Sequence, residues 1–571
     1  MRTTMGSAWC TLAAAMCMAA GINGTARADD ALAATATDPN GWAMYGRGYD
    51  NTRYSPLKQI NTGNVGQLKL AFAFQLGSLR SNESSPIVIG DTMYVSTSWG
   101  PKFVYALDAR TGARKWTYEP EIPDDVLQFA CCDVNSRGVT FAAGKIFVGR
   151  LDGKLAAVDA ATGKELWVTQ VVDYKQGSVI TSPPLVVKNM VITGFGGGEY
   201  GARGSLQAYD INTGKELWKT WTVPGPGEAN NDTWKGDSWQ HGGGVAWLVG
   251  SYDAKTNTVF YGTSNPGPWN AAVRSTGDGN YGKLSNLYTS STVALDADTG
   301  KIKWWVQSTP QDAWDYDGVN ELILADLPIR GTKTPVYLKA DRNGFFYVVN
   351  RENGKIISAE KFVPANWAEK IDISTGRAEE NPDKRPGPNH PVKGVCPNLI
   401  GGKNWQPMSF NPGTGLVYIP SNNVCMDWSV SEVTYKKGVF FLGADFPTQP
   451  GPGGYMGELI AWDPVTQKKV WSVKSDLPFN GGTLTTAGDL TFWGDLHGAF
   501  RAFDAKTGKE LWQASLGSGI GAGPITYSVG GKQYVAVVVG RTASIPAFLG
   551  EVGKKMAGAT PEGGALFVFS E

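Results

Sequence analysis

The feature that most constrains this 571-residue chain is an internal repeat, Asp-x-x-Thr-Gly followed by a Trp eight residues after the Asp. Its Asp and Trp pairs are Asp108/Trp116, Asp159/Trp167, Asp210/Trp218, Asp296/Trp304, Asp504/Trp512 and, with Gln in place of Gly, Asp463/Trp471. Degenerate copies begin at Asp253, Asn350 and Asn411, and successive copies lie 41 to 61 residues apart. A period of this kind indicates stacked copies of one structural unit.

Each copy predicts a β-hairpin in which the Asp caps a turn, the Gly takes a positive φ, and the next strand carries the Trp. One hairpin cannot bury its own sheet, so neighbouring units must stack, and a period of about 40–50 residues is typical of a four-stranded propeller blade. No long stretch has helical periodicity. We predict an all-β fold, an eight-bladed β-propeller formed as a single domain by residues 29–571. Seven blades, nine blades and unrelated hairpins in a sandwich are the alternatives.

Residues 1–28 have the features of a secretory signal peptide. Arg2 gives a positive start, a short apolar stretch runs from Leu12 to Ala20, and Ala26-Arg27-Ala28 is a plausible cleavage site. The apolar stretch is too short to span a membrane, and no later segment is long enough. We therefore predict a periplasmic protein that is cleaved after about Ala28.

Charge and cysteine content narrow the possible partners. Cleavage after Ala28 leaves 50 basic residues against 52 acidic ones, which gives no electrostatic reason to bind nucleic acid or an anionic membrane. Four cysteines remain, Cys131, Cys132, Cys396 and Cys425. In an oxidising compartment they allow up to two disulfides, with three possible connectivities.

Two local motifs provide flat surfaces. A bond between the adjacent Cys131 and Cys132 closes a small strained ring with a rigid, apolar face; the alternative is one or two thiols, or bonds to other partners. Trp247 follows a run of three glycines and lies outside the repeat register, since position 239 is Trp239 rather than Asp. The alternative for Trp247 is an ordinary packing role.

Acidic residues indicate a hard metal ion. The chain has three histidines (His241, His390 and His497), which argues against an imidazole site for zinc or copper. Asp315 and Asp317 are two residues apart and would face the same side of an extended segment, where they repel each other unless a cation lies between them. Glu199 follows three glycines. The alternatives are that Glu199 is a turn residue and that Asp317 caps the turn at Gly318.

These motifs resemble the PQQ-dependent methanol/ethanol dehydrogenase family, the quinoprotein alcohol dehydrogenases. The resemblance runs from about residue 40 to the C-terminus and is carried by the repeats and by three segments. They are Phe-Ala-Cys-Cys-Asp-Val-Asn-Ser-Arg at 129–137, Gly-Gly-Gly-Val-Ala-Trp at 242–247 and Trp-Asp-Tyr-Asp-Gly at 314–318. The resemblance implies tryptophan-docking propeller blades and bound pyrroloquinoline quinone (PQQ).

The same resemblance implies a set of cofactor-binding residues. They are Glu83, Cys131, Cys132, Arg137, Thr181, Gly197, Gly198, Trp247, Arg342, Asn404 and Asn480. A Cys131–Cys132 disulfide would lie on one face of the quinone and Trp247 on the other, and Cys396–Cys425 would be the second bridge. Asn480 lies in Phe-Asn-Gly-Gly, where many methanol dehydrogenases have Trp-Gly-Gly, so the sequence departs from the family pattern there.

The family pattern also implies the metal ligands and the catalytic residues. Glu199, Asn265, Asp315 and Asp317 would bind the metal, Asp315 would act as general base, and Arg342 would lie beside the quinone oxygens. Calcium-dependent members usually have a small neutral residue where this chain has Asp317, whereas lanthanide-dependent members have Asp. Three carboxylates also match a trivalent ion, so we predict a lanthanide, with Ca²⁺ as the alternative.

The predicted function is oxidation of a primary alcohol, such as methanol or ethanol, to the aldehyde, with electrons passing to a soluble cytochrome c. No Cys-x-x-Cys-His haem motif occurs in the sequence. The alternatives are a non-catalytic propeller scaffold of the outer-membrane assembly type and a calcium-dependent quinoprotein that acts on another alcohol. A homodimer is one assembly compatible with these predictions.

Overall fold

The structure is a computed structural model that describes residues 37–280 and 283–571. The predicted signal peptide and its cleavage site lie outside the described residues. Strands are the predominant regular secondary structure of the described residues, and none of their helices is both long and apolar enough to cross a membrane. The chain is therefore all-β, as the repeat predicts.

Most strands form four-stranded sheets, which we number 1 to 8 along the chain. Sheet 1 consists of Ile87–Ile89, Thr92–Ser96, Val104–Asp108 and Arg114–Tyr118, and sheet 2 of Thr140–Ala142, Lys145–Gly149, Lys154–Asp159 and Glu165–Gln170. Sheet 3 consists of Leu185–Val187, Met190–Thr193, Ser205–Asp210 and Glu216–Trp221, and sheet 4 of Ser251–Asp253, Thr258–Gly262, Ser291–Asp296 and Ile302–Gln307. Sheet 5 consists of Ile323–Ile329, Thr332–Ala340, Phe345–Asn350 and Ile356–Lys361, and sheet 6 of Ser409–Asn411, Leu416–Asn422, Gly457–Asp463 and Lys468–Ser475. Sheet 7 consists of Thr483–Thr486, Leu490–Gly494, Ala499–Asp504 and Glu510–Ser515, and sheet 8 of Ile525–Val529, Lys532–Val539, Ala565–Ser570 and Lys69–Gln75.

The remaining elements are short. Tyr54–Ser55 adds a parallel strand to sheet 7, Ala368–Asp372 pairs with Arg377–Glu380, and Val424–Val430 pairs with Val392–Val395, Ala444–Asp445 and Thr448–Pro450. The α-helices with both ends in the described residues are α1 (Ala271–Arg274), α2 (Ile545–Phe548) and α3 (Gly550–Ala559). The 3₁₀ helices are Val65–Gln67, Asp124–Gln128, Tyr174–Gln176, Gly198–Tyr200, Asn231–Thr233, Ser238–His241 and Pro382–Lys384.

The four strands of sheets 1 to 5 and of sheet 7 follow one another in the chain, and those of sheet 6 are interrupted by the small sheet around Val424–Val430. Sheet 8 instead joins the two ends of the described chain. Its outer strand, Lys69–Gln75, pairs antiparallel with the C-terminal strand Ala565–Ser570. This pairing accounts for the absence of a repeat copy in sheet 8, because its last two strands are not joined by a turn. It also joins the N-terminal part of the described chain to its C-terminal strand, as closure of a ring of stacked sheets requires.

The Asp of each full copy ends the third strand of its sheet, and the Trp lies on the fourth strand. The Asp159 carboxylate shows the capping: one oxygen accepts hydrogen bonds from the N–H groups of Ala161 (3.1 Å) and Thr162 (2.8 Å). The degenerate copies at Asp253 and Asn411 differ, because they follow the first strand of sheets 4 and 6. The same type of capped turn therefore joins the first two strands of a sheet at these copies and the last two strands at the full copies.

In the sheets that carry a full copy of the repeat, the Trp contacts the following sheet. The indole N–H of Trp116 in sheet 1 donates to the Ala160 carbonyl in sheet 2 at 3.0 Å. The same ring covers Gly163, where an added Cβ would lie 2.8 Å from it. Equivalent indole hydrogen bonds run from Trp167 to Ile211, from Trp218 to Ala297 and from Trp471 to Ala505.

This contact predicts a stability difference between two glycines of sheet 2. Gly163 and Gly144 have φ values of +76° and +72°, but a Cβ at Gly144 would have no neighbour within 4 Å. Gly144→Ala therefore tests backbone strain alone, about 1–2 kcal/mol. Gly163→Ala adds a clash with the Trp116 ring, which costs a further ~1–3 kcal/mol. Thermal and denaturant unfolding of the two variants measures the difference, and equal destabilisation would contradict the indole contact.

The C-terminal segment departs from the expectation of strands and turns alone. Leu549, Val552 and Met556 are buried and spaced at the helical period, and the last two lie in α3. The hydroxyl of Thr448 donates to the Leu549 carbonyl at 2.7 Å and so links α3 to the small sheet around Val424–Val430. The helix α3 begins at Gly550, which has a left-handed backbone (φ +52°), and Leu549 separates it from α2.

Candidate active site

One cavity brings together most of the residues that the sequence predicts for the site. The predicted residues that line it are Cys131, Cys132, Arg137, Thr181, Gly197, Glu199, Trp247, Asp315, Arg342 and Asn404. They come from segments that connect or follow the strands of several different sheets. Residues that are more than 250 positions apart in the sequence therefore share one wall.

The described residues contain two disulfides, Cys131–Cys132 in the cavity wall and Cys396–Cys425 outside it. One carboxylate oxygen of Glu199 and both sulfur atoms of the vicinal pair lie within 4.8 Å of one another. Bonded cysteines offer no thiolate to a metal, so this group is a contact between a carboxylate and an apolar disulfide. Trp247 lines the same cavity, with the Arg137 guanidinium 5.0 Å from its ring centre.

Asp317 lies behind the cavity wall and holds three of its elements. One carboxylate oxygen accepts the indole N–H of Trp247 at 2.8 Å and lies 3.0 Å from Nη1 of Arg342. The other oxygen accepts the main-chain N–H of Asn265 at 2.6 Å. Asp317 is 1% exposed, so these partners replace water completely. It therefore fixes the plane of Trp247 and the position of Asn265.

Asp315 also contacts the Arg342 guanidinium, through both its side chain and its main-chain carbonyl. Its Oδ1 lies 3.5 Å from Nη1 of Arg342, which also donates to the Asp315 carbonyl at 3.0 Å. The prediction that Asp315 and Asp317 share a side of an extended segment is wrong, because Asp315 has φ +64°. A left-handed residue turns the chain, and such strained residues are frequent at functional sites. The two carboxylates nevertheless converge on Arg342.

Burial dominates the electrostatics of the cavity. Burial and, to a smaller extent, the charge of Asp317 raise the pKa of Glu199 to about 7. Burial also raises the pKa of Asp315 well above the usual value, against the opposing effect of Arg342. Burial lowers the pKa of Arg342, but the surrounding carboxylates outweigh it and leave that pKa raised. Three carboxylates around one guanidinium leave excess negative charge in a buried site, which a cation would neutralise.

The predicted metal ligands are near one another but do not form a closed set. Among the described His, Cys, Asp and Glu residues, only Cys131, Cys132 and Glu199 bring three potential ligand atoms within 4.8 Å of one another. Arg342 instead holds Asp315 and Asp317. A bound cation would therefore compete with Arg342 for the carboxylates of Asp315 and Asp317.

Unpaired buried polar atoms test whether the cavity fits a metal and a polar cofactor. Oδ1 of Asn265 and Oδ1 of Asp315 are buried and have no hydrogen-bond partner among the described residues. The Nε atoms of Arg137 and Arg342 are also buried and unpaired. Each such group costs about 1–3 kcal/mol unless a ligand satisfies it. Oxygens of this type suit a hard cation, and guanidinium donors suit a carboxylated or quinonoid ligand. The residues present therefore fit both groups.

Arg137 is held by two of the predicted residues. Its Nη2 lies 2.9 Å from a carboxylate oxygen of Glu83, and its Nη1 donates to the Thr181 hydroxyl at 2.8 Å. The pKa of Glu83 is raised to about 7, because burial outweighs the opposing charge of the neighbouring Arg137. Glu83 does not line the cavity and reaches it only through Arg137. Its position is that of a residue that orients Arg137.

Gly198 and Asn480 do not line the cavity. The Asn480 amide donates to the Leu477 carbonyl at 2.8 Å and accepts the Leu496 N–H at 3.0 Å, so both of its ends are used within the protein. Gly198 begins the 3₁₀ helix that carries Glu199. Asn404 lines the cavity and donates to the Ile400 carbonyl at 3.0 Å.

Several cavity residues were not predicted from the sequence. They include Asp133, Asn135, Trp405, Ile400, Leu442, Phe446, Phe548 and Leu549. Trp405 follows Asn404 directly, and its ring centre lies 5.7 Å from the Arg137 guanidinium. The adjacent Asn404 and the exceptional number of tryptophans were the available signals. The helical spacing after position 548 was the signal for the C-terminal residues.

Comparison with known proteins agrees with this geometry. The family described as PQQ "Glucose/ethanol/alcohol dehydrogenase, beta-propeller domain" matches residues 42–375 and 455–535. The chain is 44% identical over 540 residues to the "Lanthanide-dependent methanol dehydrogenase" of Methylacidiphilum fumariolicum, covering 90% of this chain and 87% of that protein. It is 42% identical over 549 residues to the "Quinoprotein alcohol dehydrogenase PedH" of Pseudomonas putida, covering 92% and 90%.

A solved structure extends the similarity to the whole fold. The "Europium-containing methanol dehydrogenase" superposes with a TM-score of 0.90 at 42% identity, covering 95% of this chain and all of that one. Between the predicted enzyme and the predicted non-catalytic scaffold, these similarities decide for the enzyme. The protein has the PQQ β-propeller domain and belongs to the family of PQQ-dependent quinoprotein alcohol dehydrogenases.

Proposed function

We propose that this enzyme oxidises a primary alcohol to the aldehyde in the periplasm, as a single domain of residues 29–571 released by cleavage after about Ala28. The observation that carries the proposal is one cavity lined by a vicinal disulfide, Trp247, Arg137 and the Asp315–Arg342 pair. These side chains offer flat apolar surfaces, guanidinium donors and a buried carboxylate. An alcohol dehydrogenase with a planar, acidic cofactor needs all three.

We further propose that sheets 1 to 8 are the eight blades of one propeller with tryptophan docking. The sheet that joins Lys69–Gln75 to Ala565–Ser570 supports a closed ring. The indole hydrogen bonds from one sheet to the next support docking. The cavity would then lie where the connecting segments of several blades converge.

PQQ is the proposed cofactor and, when bound, supplies the two-electron oxidant. Arg137 and Arg342 would hold its acidic and quinone oxygens through donors that lack partners in the protein. Thr181, Gly197 and Asn404 line the cavity beside them. Trp247 and the Cys131–Cys132 bond would exclude water from its two faces. Glu83 and Gly198 would act from behind the wall, and the proposed contact of Asn480 requires its present hydrogen bonds to rearrange.

A lanthanide is the proposed metal, with Ca²⁺ as the alternative. Glu199, Asn265, Asp315 and Asp317 would hold it. Three carboxylates supply the charge that a trivalent ion neutralises, and a relative carries "Lanthanide-dependent" in its name. The fit also predicts that metal binding draws Asp315 and Asp317 away from Arg342, which frees that guanidinium for the cofactor.

Asp315 would act as the general base that removes the hydroxyl proton of the alcohol. Its Oδ1 faces no hydrogen-bond donor at suitable geometry and is therefore available to receive a proton. Burial raises its pKa, which makes the carboxylate more basic than an exposed one. A metal cation beside it would keep it ionised before the reaction. A soluble cytochrome c as electron acceptor, and a homodimer as assembly, stay predictions from the family resemblance.

The direct experiment is reconstitution of the purified protein with PQQ and either La³⁺, Ca²⁺ or no metal. We expect alcohol-dependent dye reduction with PQQ and La³⁺, weaker activity with Ca²⁺, and none without metal. A cytochrome c reduction assay then tests the acceptor. Absence of activity with every metal across a panel of primary alcohols would contradict the proposal, and equal activity with Ca²⁺ would contradict the lanthanide preference.

The two disulfides give a matched pair of variants. Replacing Cys131 and Cys132 together with Ala removes a flat wall of the cavity, and we expect PQQ affinity to fall about 10-fold, or about 1.4 kcal/mol. Replacing Cys396 and Cys425 with Ala opens a bridge with a sequence separation of 29 outside the cavity, which costs about 3 kcal/mol of stability. Fluorescence titration with PQQ and thermal unfolding measure the two effects. A loss of PQQ affinity in the second variant and not in the first would contradict the assignment.

A further inference from the structure

Asn135 is a cavity residue that the proposed cofactor and metal contacts do not use. It lies between the vicinal disulfide and Arg137 in the sequence, lines the cavity and is 4% exposed. Its Oδ1 atom is buried and has no hydrogen-bond partner among the described residues. A buried amide oxygen in this state costs about 1–3 kcal/mol unless a ligand donates a hydrogen bond to it. Asn135 therefore offers the cavity an acceptor that the protein itself does not use.

The other end of the Asn135 amide fixes its orientation. Nδ2 donates to the main-chain carbonyl of Cys132 at 2.8 Å. A carbonyl oxygen accepts hydrogen bonds and cannot donate one, so the amide nitrogen has to face Cys132 and the amide oxygen has to face away from it. The side chain thus holds the peptide that follows the vicinal disulfide and keeps its own oxygen available.

The main chain on both sides of Asn135 is held as well. The carbonyl of Val134 accepts the N–H of Trp99 at 2.8 Å, and the N–H of Arg137 donates to the carbonyl of Thr181 at 2.9 Å. A shift of the backbone that brought the Asn135 oxygen to a partner within the protein would break these hydrogen bonds. The position of the oxygen is therefore set by the fold.

The two asparagines that the family resemblance assigns to the cofactor differ from Asn135 in this respect. Oδ1 of Asn404 accepts the N–H of Trp405 at 2.9 Å, and Oδ1 of Asn480 accepts the N–H of Leu496 at 3.0 Å. Both of these oxygens already have a donor, whereas that of Asn135 has none in the part of the chain that the structure describes. Of the three amides, Asn135 gains most from a ligand N–H group.

We infer that Asn135 is a further cofactor-binding residue and that its Oδ1 accepts the pyrrole N–H of PQQ. The inference rests on the proposed function. PQQ has one ring N–H, in its pyrrole ring, and this N–H lies beside a carboxylate. Recognition of that edge needs an acceptor next to a cation, and Asn135 and Arg137 are two residues apart and line the same cavity. An amide suits this position better than a carboxylate, because it accepts the N–H without repelling the acidic groups of the cofactor.

The test compares PQQ with PQQ methylated at the pyrrole nitrogen, which lacks the N–H. Both are titrated by tryptophan fluorescence into the purified enzyme, freed of PQQ and loaded with La³⁺. We expect the unmodified enzyme to bind PQQ more than about 10-fold more tightly than the methylated form, because a site built for an N–H rejects an analogue without it. Equal affinities overturn the inference and leave the proposed function standing. Failure to bind either compound overturns both.

Variants assign this preference to Asn135. Asn135→Ala should lower the ratio of the two affinities by about 10-fold, because it weakens binding of PQQ more than binding of the methylated form. Loss of the hydrogen bond to Cys132 alone would weaken both equally, so an unchanged ratio overturns the assignment. If Asn135→Ala does not fold, Asn135→Ser keeps a donor for the Cys132 carbonyl and makes a smaller change.

Asn411→Ala is the matched control. Asn411 is 1% exposed, and its amide donates to the hydroxyl of Thr485 at 3.0 Å, outside the cavity. This variant also removes a buried amide and should lose stability, but the ratio of the two affinities should stay that of the unmodified enzyme. An equal fall of the ratio in Asn411→Ala and Asn135→Ala would show a general effect of destabilisation and would overturn the role of Asn135.

Discussion

Asp315→Asn is expected to lower kcat by a factor of about 10²–10⁴, the contribution of a positioned general base. Asn has nearly the same shape and keeps an oxygen for the metal, so the change removes basicity and charge but little volume. The loss should persist at saturating PQQ, metal and alcohol, because it acts on the proton-transfer step. Steady-state kinetics with parallel determination of bound PQQ and metal measures it.

Asp495→Asn is the matched control. Asp495 is also buried and paired with an arginine, Arg501, but it does not line the cavity. This variant should lose stability while kcat stays close to that of the unmodified enzyme. A kcat for Asp315→Asn within threefold of the unmodified value, with full PQQ and metal content, would show that Asp315 is not the base.

Asp317→Asn is expected to weaken La³⁺ binding by more than about 100-fold, because loss of residues that only orient a ligand already costs 10–100-fold. Asn removes a negative charge and keeps one oxygen, which can still accept from Trp247 or Asn265. The attraction between the side chain and a trivalent ion scales with the ion's charge, so Ca²⁺ binding should weaken less. Luminescence titration with Eu³⁺ or Tb³⁺ and metal analysis of the purified protein measure the change.

Asp317→Ala separates the charge from the scaffold role. It also leaves the Trp247 indole N–H and the Asn265 main-chain N–H without their acceptor. We expect Asp317→Ala to lose PQQ affinity in addition to metal affinity, whereas Asp317→Asn loses mainly metal affinity. If Asp317→Ala binds and uses La³⁺ as the unmodified enzyme does, Asp317 is not a ligand.

The repeat was sufficient to predict the all-β fold, because a capped turn, a positive-φ Gly and a Trp at fixed spacing are local requirements of one hairpin. The local sequence of a copy could not predict which pair of strands in the sheet its turn connects. The motifs at Asp253 and Asn411 follow the first strand of a sheet, whereas that at Asp108 follows the third. Sheet 8 has no copy at all, since its outer strand comes from the N-terminal part of the chain.

The site was predicted largely through family resemblance, and the structure brings ten of its residues to one cavity. The resemblance did not predict the backbone conformation of Asp315 or the direction of the Asp317 side chain. Asp315 adopts a left-handed conformation, and Asp317 turns toward Trp247 and Asn265 rather than into the cavity. A spacing of two residues defines a common side only in an extended strand, and that condition fails at Asp315.

By itself, the sequence determined the repeating unit, the residue types available for catalysis, and the adjacency of Cys131 and Cys132. Only the tertiary structure decided that residues 440–446 and the C-terminal helices form an apolar side of the same cavity. Hydrogen bonds from Phe441 to Glu199 and from Ser544 to Asp133 hold them there. Such contacts join segments far apart in the chain, and the free energy that selects them comes from packing that no local pattern encodes.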